Sequence, residues 1–263
     1  MPKIKSKIVF LCSSCGDDHP KWNGQCPSCN EWGTLSEFKV SKNRNNDLVD
    51  VDKPGKLSTI LNLPDIQRIL TRINEVDRVL GGGILPGSLI LLGGNPGIGK
   101  STLALQLLLK IEKTSLYVSA EESKDQVALR AKRLNIDSSL LYLSSENRIQ
   151  SVIEQSNELK PELLIIDSIQ AIYSDILDAI PGSISQIREC GQQIQQFAKQ
   201  TNTAVLIIGH VTKEGAIAGP KMLEHMVDTV LYLEGDDRQD HRVLRSNKNR
   251  FGNTHEIGIF QME

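Results

Sequence analysis

The sequence predicts an α/β fold, in which a mostly parallel sheet with an antiparallel extension follows a small module rich in cysteine. From about residue 63 onward, short apolar runs alternate with amphipathic stretches, which is typical of β-α-β units. After position 226 the pattern changes to the residue-by-residue alternation of antiparallel strands. Four of the five cysteines lie between positions 12 and 29, which sets the first part of the chain apart from the rest.

Four apolar runs have the length and composition of buried parallel strands. They cover residues 88–93, 115–119, 163–167 and 204–208. Helical patterns lie between them at 101–112 and 147–159, and Ser183 is placed to cap a long helix that contains Ile187 and Ile194. The antiparallel strands are expected at 227–235, 241–249 and 255–263.

The composition divides the chain into three zones. We predict a four-cysteine finger over residues 1–38, a polar linker over 39–62 and an α/β core over 63–263. The linker contains the breakers Asn45-Asn46 and Pro54-Gly55. In a chain of 263 residues, an apolar fraction of 39% is sufficient for a packed core.

The charge and the cysteine pattern exclude several classes of protein. Thirty basic and 32 acidic residues give a formal net charge of −2, which excludes a strongly basic nucleic-acid coat but not local basic patches. No run approaches 18 apolar residues, so no membrane-spanning helix and no membrane partner are predicted. Clustered cysteines indicate a metal site in a reducing compartment rather than a disulfide scaffold. We therefore expect a cytoplasmic protein.

A glycine-rich segment between a predicted strand and a predicted helix matches the phosphate-binding pattern G-x-x-x-x-G-K-[ST]. The predicted nucleotide site comprises Gly94, Asn95, Pro96, Gly97, Ile98, Gly99, Lys100, Ser101 and Thr102. Glycines let backbone N–H groups turn toward phosphate oxygens. We expect Lys100 to reach the β- and γ-phosphates of ATP, Ser101 to bind Mg²⁺ and Thr102 to lie beneath the α-phosphate. The alternative is a glycine-rich turn that binds no nucleotide.

Candidate catalytic residues follow the predicted strands, where the carboxyl ends of parallel strands form ligand sites. Asp167 ends a buried strand and is expected to orient Mg²⁺ together with Ser101. Glu121 is the first candidate for the base that polarises the attacking water, and Glu122 is the second. A carboxylate pair that merely starts a helix is the alternative. His210 is a candidate sensor of the γ-phosphate, or else a structural histidine at the end of a strand.

The cysteine cluster has the spacing C-x2-C-x10-C-x2-C, which is formed by Cys12, Cys15, Cys26 and Cys29. Two such pairs of thiolates provide the tetrahedral ligand set of structural zinc. Because four protein ligands leave no open coordination position, we expect no catalysis at this metal. An iron–sulfur cluster is the alternative.

Aromatic and basic residues offer contacts to nucleic acid. Trp22 and Trp32 are expected to form the miniature core of the cysteine module, with base stacking as the alternative. Four basic residues are expected in loops beyond the core strands, where they would face either a phosphate backbone or solvent. They are Lys213, Lys221, Lys248 and Arg250.

Several segments together resemble the RadA/Sms family of bacterial DNA-repair ATPases, which is related to RecA. They include KWNGQCPSC, GGNPGIGKST, LYVSAEES, IIDSIQ, GHVTKEGAIAGP and KNRFG. The resemblance extends from Cys12 to about Gly258, and the combination of the four-cysteine finger with KNRFG is its most specific part. Ala120 stands where the family is expected to have glycine. The family usually continues into a Lon-protease-like domain, so this chain, which stops at Glu263, is expected to be shortened or to lack that domain.

The resemblance implies a RecA-like ATPase core that assembles as a hexameric ring and hydrolyses ATP on single-stranded DNA. It also implies branch migration of recombination intermediates alongside a RecA-type recombinase. Glu121 matches the water-activating glutamate, and Lys248 and Arg250 of KNRFG match basic residues that reach the neighbouring subunit's nucleotide or DNA. Two other functions stay open at this point: a nucleotide-switched zinc-finger scaffold without motor activity, and a phosphotransferase of the KaiC-like branch.

Overall fold

The computed structural model describes residues 7–14, 16–40, 55–60, 65–135, 139–210, 220–235 and 240–261. Within this part of the chain there are two sheets. The first is a three-stranded antiparallel ribbon of β1 (Lys7–Cys12), β2 (Asp18–His19) and β3 (Leu35–Val40), in the order β2-β1-β3. A single helical turn, α1 (Leu57–Ile60), lies in the segment that was predicted to be a linker.

The second sheet has eight strands within the described residues. They are β4 (Leu89–Gly94), β5 (Ser115–Ser119), β6 (Leu141–Ser144), β7 (Leu163–Asp167), β8 (Ala204–Ile208), β9 (Thr229–Glu234), β10 (His241–Asn249) and β11 (Ile257–Gln261). Their order is β11-β10-β9-β4-β8-β7-β5-β6. The strands from β9 to β6 in this order are parallel, whereas β10 and β11 add to the β9 side in antiparallel register.

In the part of the chain that the structure describes, six helices cover the two faces of the large sheet. They are α2 (Asn74–Leu80), α3 (Lys100–Lys110), α4 (Lys124–Arg133), α5 (Ile149–Leu159), α6 (Ile184–Thr201) and α7 (Pro220–Met226). Buried residues of α2, α3 and α4 pack on one face, and those of α5, α6 and α7 pack on the other. Covering both faces explains why β4, β5, β7 and β8 are buried along their whole length and mostly apolar. No helix of the described residues is long and apolar enough to cross a membrane.

The predicted fold class is confirmed, including the four buried parallel strands and the antiparallel extension. Ser183 caps α6 as predicted, because its side chain accepts a hydrogen bond from the backbone N–H of Gln186. Sequence patterns missed β6, which is short and half-exposed at the edge of the sheet. They also missed α4, although Ser123 and Gln126 form a capping box at its start.

Candidate functional site

The phosphate-binding loop connects β4 to α3 at the carboxyl edge of the parallel strands. Gly94 has φ +152°, and a Cβ atom there would lie 2.6 Å from the carbonyl oxygen of Leu233 on β9, so no larger residue fits. Gly99, with φ +109°, immediately precedes the first turn of α3. The loop is therefore followed directly by a helix N-terminus, whose backbone N–H groups favour an anion.

Lys100 lies inside this loop and is only 4% exposed. Its Nζ donates hydrogen bonds to the carbonyl oxygens of Gly94 and Asn95, at 2.8 and 2.9 Å. Burial lowers the pKa of Lys100 to about 8, although the negative charges of Asp167 and Glu121 act in the opposite direction. The ammonium of Lys100 therefore interacts electrostatically with the carboxylates of Asp167 and Glu121.

Three neighbouring strands bring the remaining predicted site residues to the same edge. Asp167 ends β7, Glu121 follows β5 and His210 follows β8. The hydroxyl of Ser168 donates a hydrogen bond of 2.5 Å to Oε1 of Glu121, and Nε2 of His210 lies 3.6 Å from the same oxygen. This convergence gathers two carboxylates, a hydroxyl and an imidazole at the carboxyl ends of three neighbouring strands.

Glu122 has a different environment from its neighbour Glu121. Its carboxylate forms an ion pair with Arg130 of α4, and its backbone N–H donates to Oγ of Ser119. The structure therefore does not bring the second candidate base to His210 and Ser168. Arg130 was missed from the sequence, because an arginine on an amphipathic helix is usually a solvated residue.

A cavity of about 720 Å³ adjoins the start of α3, on the side of β9, β10 and β11. Gly99 and Thr102 form its end nearest the phosphate-binding loop, and Leu233, Arg242 and Phe260 line its walls. Its apolar and cationic lining suits a nucleoside attached to phosphates in the loop. Sequence reasoning included Thr102 but missed Leu233, Arg242 and Phe260, because they come from the last three strands, more than 130 positions further along the chain.

The KNRFG segment lies at the amino ends of the parallel strands, whereas the phosphate-binding loop lies at their carboxyl ends. In the β9–β10 register, Lys248 pairs with Val230 and Asn249 pairs with Thr229, at the start of β9. Nζ of Lys248 donates to the carbonyl oxygen of Glu224 in α7 at 2.7 Å. Val230 pairs in turn with Leu91 of β4, three residues before Gly94, which is roughly 10 Å along the strand at the usual rise. Because the ammonium of Lys248 is bound to carbonyl oxygens of α7, it is held away from the phosphate loop of its own chain.

Two expectations about basic residues in loops are wrong. Lys248 lies in strand β10, within the strand predicted over 241–249, and Lys221 lies in helix α7. Arg250 follows β10 and forms an ion pair with the buried carboxylate of Asp228 at 3.1 Å. Lys213 lies outside the described residues.

The cysteine module contains a candidate metal centre. The Sγ atoms of Cys12, Cys26 and Cys29 lie within 4.8 Å of one another, whereas Cys15 lies outside the described residues. Burial alone would raise the pKa of the Cys26 thiol. Hydrogen bonds from the backbone N–H groups of Cys29 and Ser28, together with the side chains of His19 and Cys12, outweigh that effect and lower the pKa to about 6. Backbone donors of this kind stabilise thiolates, the form that binds a metal.

The expected miniature core of Trp22 and Trp32 is wrong. The two residues are 61% and 73% exposed, with Gly24 close to both rings. The small buried cluster consists instead of Cys12, Cys26 and Leu35. Cysteine side chains therefore take the centre of the module, and the two large rings lie outside it.

Comparisons with known proteins agree with this geometry. Residues 57–216 match the family model described as an AAA domain, and residues 10–37 match one described as a rubredoxin metal binding domain. The described fold also resembles a solved ATPase domain, with a TM-score of 0.60 and 13% identity over 77% of this chain and 89% of that one. The RadB recombinase gives a TM-score of 0.57 and 24% identity over 74% and 96%. The fold and the phosphate-binding loop together define a P-loop protein with a RecA-like fold.

Curated relatives narrow this class. Proteins described as DNA repair protein RadA are 46% identical in Listeria monocytogenes and in Bacillus subtilis, over 100% of this chain. A third, from Streptococcus pyogenes, is 48% identical over 98% of it. The chain belongs to the AAA-domain family and, within it, to the RadA/Sms ATPases. It spans 58–59% of the length of these relatives.

Proposed function

We propose that this chain binds ATP in the loop after β4 and hydrolyses it. The observation that carries the proposal is the convergence of Lys100, Asp167 and Glu121, from three separate segments, at one edge of the sheet. Lys100 would exchange its two carbonyl partners for phosphate oxygens. The nucleoside would occupy the cavity beside Thr102.

The residues present fit a magnesium ion. Ser101 offers a hydroxyl in the first turn of α3, and Asp167 offers a carboxylate that is 8% exposed and close to Lys100. Such oxygen ligands are those that Mg²⁺ prefers. When bound, Mg²⁺ would neutralise charge on the phosphates.

Glu121 is the proposed base for the attacking water. Its Oε1 is held by Ser168 and faces His210, so the carboxylate has a fixed orientation. His210 would report the state of the γ-phosphate to the segment that follows it. Positioning of this kind, rather than covalent chemistry, supplies most of the catalysis in phosphoryl transfer.

We further propose that hydrolysis occurs in a homo-oligomeric ring, expected to be a hexamer, on single-stranded DNA. Because Lys248 and Arg250 lie at the edge opposite their own phosphate loop, they would act on a neighbouring subunit's nucleotide or on DNA. The relatives' description as DNA repair proteins supports recombination intermediates as substrates. Branch migration with a RecA-type recombinase is the corresponding cellular role, in the cytoplasm.

We propose that Cys12, Cys15, Cys26 and Cys29 hold a structural zinc ion. The three described thiols already lie close enough to share one ion, and Oγ1 of Thr34 lies 3.2 Å from Sγ of Cys12. A closed set of four thiolates would order the ribbon without taking part in hydrolysis.

The test is ATP turnover with and without single-stranded DNA, at two salt concentrations because phosphate-backbone contacts weaken with salt. We expect turnover that DNA stimulates. Turnover or binding of ATP that DNA leaves unchanged at both salt concentrations would favour the nucleotide-switched scaffold. Label that appears on protein after incubation with γ-labelled ATP would favour the phosphotransferase.

A further inference from the structure

Tyr117 is a fully buried tyrosine next to the proposed magnesium ligand. It lies on β5, two residues before Ser119, and Ser119 pairs with Asp167 of β7 in the parallel register. Residues in register on parallel strands, and residues two apart on one strand, point to the same face. The Tyr117 hydroxyl therefore reaches Asp167 and donates a hydrogen bond of 2.5 Å to its Oδ2.

We propose that Tyr117 is a positioning residue that fixes the Asp167 carboxylate for Mg²⁺. The hydroxyl occupies Oδ2 and leaves Oδ1 for the metal or for water bound to it. The terminal torsion of an aspartate is soft and nearly two-fold, so a donor held by the core selects one orientation of the carboxylate. This inference rests on the proposed function, because it assigns a role at the same nucleotide site.

The side chain of Tyr117 is fully buried in the apolar core on the face of the sheet that α3 covers. Its hydroxyl is therefore shielded from water and is satisfied by Oδ2 of Asp167. A buried hydroxyl without a hydrogen-bond partner costs free energy, so the contact fixes the orientation of both Tyr117 and Asp167.

The matched control is a second tyrosine–carboxylate pair, which joins strand β9 to helix α7. The Tyr232 hydroxyl on β9 donates to Oε1 of Glu224 at 2.7 Å, with no contact to Asp167. Tyr117→Phe and Tyr232→Phe each remove one phenolic oxygen and keep the ring. If Tyr117 only stabilised the fold, Tyr117→Phe and Tyr232→Phe would have the same Kd for the metal.

The experiment is a titration of Mn²⁺, in place of Mg²⁺, into the full chain with ADP, followed by electron paramagnetic resonance. For Tyr117→Phe we expect the Kd of Mn²⁺ to rise about tenfold, which is typical when an outer partner of a metal ligand is lost. Metal-free ADP binding should stay unchanged, and Tyr232→Phe should bind Mn²⁺ like the wild type. Turnover of Tyr117→Phe should recover at high Mg²⁺.

Three outcomes would overturn the inference. The first is a Tyr117→Phe chain that melts cooperatively and binds Mn²⁺ as tightly as the wild type. The second is a further loss of Mn²⁺ affinity when Tyr117→Phe is added to Asp167→Asn, since the two residues should act through one carboxylate. The third is a Tyr117→Phe chain that does not fold. If the wild type binds no Mn²⁺ with ADP, the proposed function itself fails.

Discussion

The hydroxyl of Ser168 donates to Oε1 of Glu121 at 2.5 Å, although the two residues are 47 positions apart in the chain. The contact joins the ends of the neighbouring strands β7 and β5. It gives Glu121 a fixed carboxylate at the nucleotide edge, whereas Glu122, one residue later, pairs with Arg130. Adjacent glutamates with different partners allow a sharp test of which one is the base.

Replacing Glu121 should separate catalysis from binding. We expect Glu121→Gln to lower the rate of ATP turnover by about 100-fold or more, because an amide does not accept the proton of the attacking water. ATP affinity should change little. Glu122→Gln is the matched control and should keep most of the turnover. Equal losses in the two variants would show that Glu121 has no special role.

The buried ammonium of Lys100 predicts a dependence of ATP affinity on pH. Its pKa in the free protein is lowered to about 8 by burial, and bound phosphates favour the protonated form. Between about pH 7 and 8 the phosphates keep their full charge and affinity should be nearly constant. Above about pH 8 it should fall, by at most tenfold per pH unit. Lys100→Arg stays charged in this range, so its affinity, although weaker, should not fall. Fluorescence anisotropy of a labelled ATP analogue measures both profiles, and parallel profiles would contradict the role of Lys100.

The position of Lys248 predicts complementation between two inactive variants. Lys248→Ala should lower turnover and spare ATP affinity, because the residue lies at the edge away from its own loop. Lys100→Ala lacks a working loop but still presents Lys248 to its neighbour. Turnover should then rise above the sum of the separate activities when the two are mixed and allowed to assemble.

The same mixing experiment distinguishes an intramolecular role. Lys248 also donates to carbonyl oxygens of α7. If the role of Lys248 is to make these contacts within its own chain, a neighbouring subunit cannot restore the turnover that Lys248→Ala loses. Mixtures that never exceed the sum of their parts, with stable oligomers present by analytical ultracentrifugation, would leave Lys248 a structural residue. Lys199, a basic residue in the last turn of α6, is a control position at which alanine should have little effect.

Cys26→Ser should lower the bound zinc measured by mass spectrometry, because serine does not supply a thiolate. Nucleotide binding should persist, since the phosphate loop lies in the other sheet. Cys190→Ser is the control, because that thiol is buried in the core and burial raises its pKa to about 12. Unchanged zinc in Cys26→Ser would contradict the four-thiolate site, and iron in the wild type would favour the alternative metal.

The phosphate loop and the parallel strands were predictable because their signals are local. Gly94 to Ser101 form one continuous pattern. The strands are continuous apolar runs, as expected for a sheet that is buried on both faces. The edge that gathers Asp167, Glu121 and His210 follows from the rule that parallel strands end together.

Other features depend on contacts that no local pattern contains. The partner of Tyr117 is 50 positions away, and an isolated tyrosine in an apolar strand looks like any core residue. Trp22 and Trp32 are exposed because Cys12, Cys26 and Leu35 occupy the centre of the cysteine module. The edge at which Lys248 lies requires the β9–β10 register, including the irregularity between Ser246 and Lys248.

Release of inorganic phosphate from ATP and Mg²⁺, measured side by side for the wild type and for Lys100→Ala, decides whether the loop after β4 is the site of hydrolysis. We predict steady release by the wild type and none above background for Lys100→Ala, with both chains folded by circular dichroism. Release by Lys100→Ala at the wild-type rate, or a wild-type chain that neither binds ATP nor releases phosphate, would contradict this assignment.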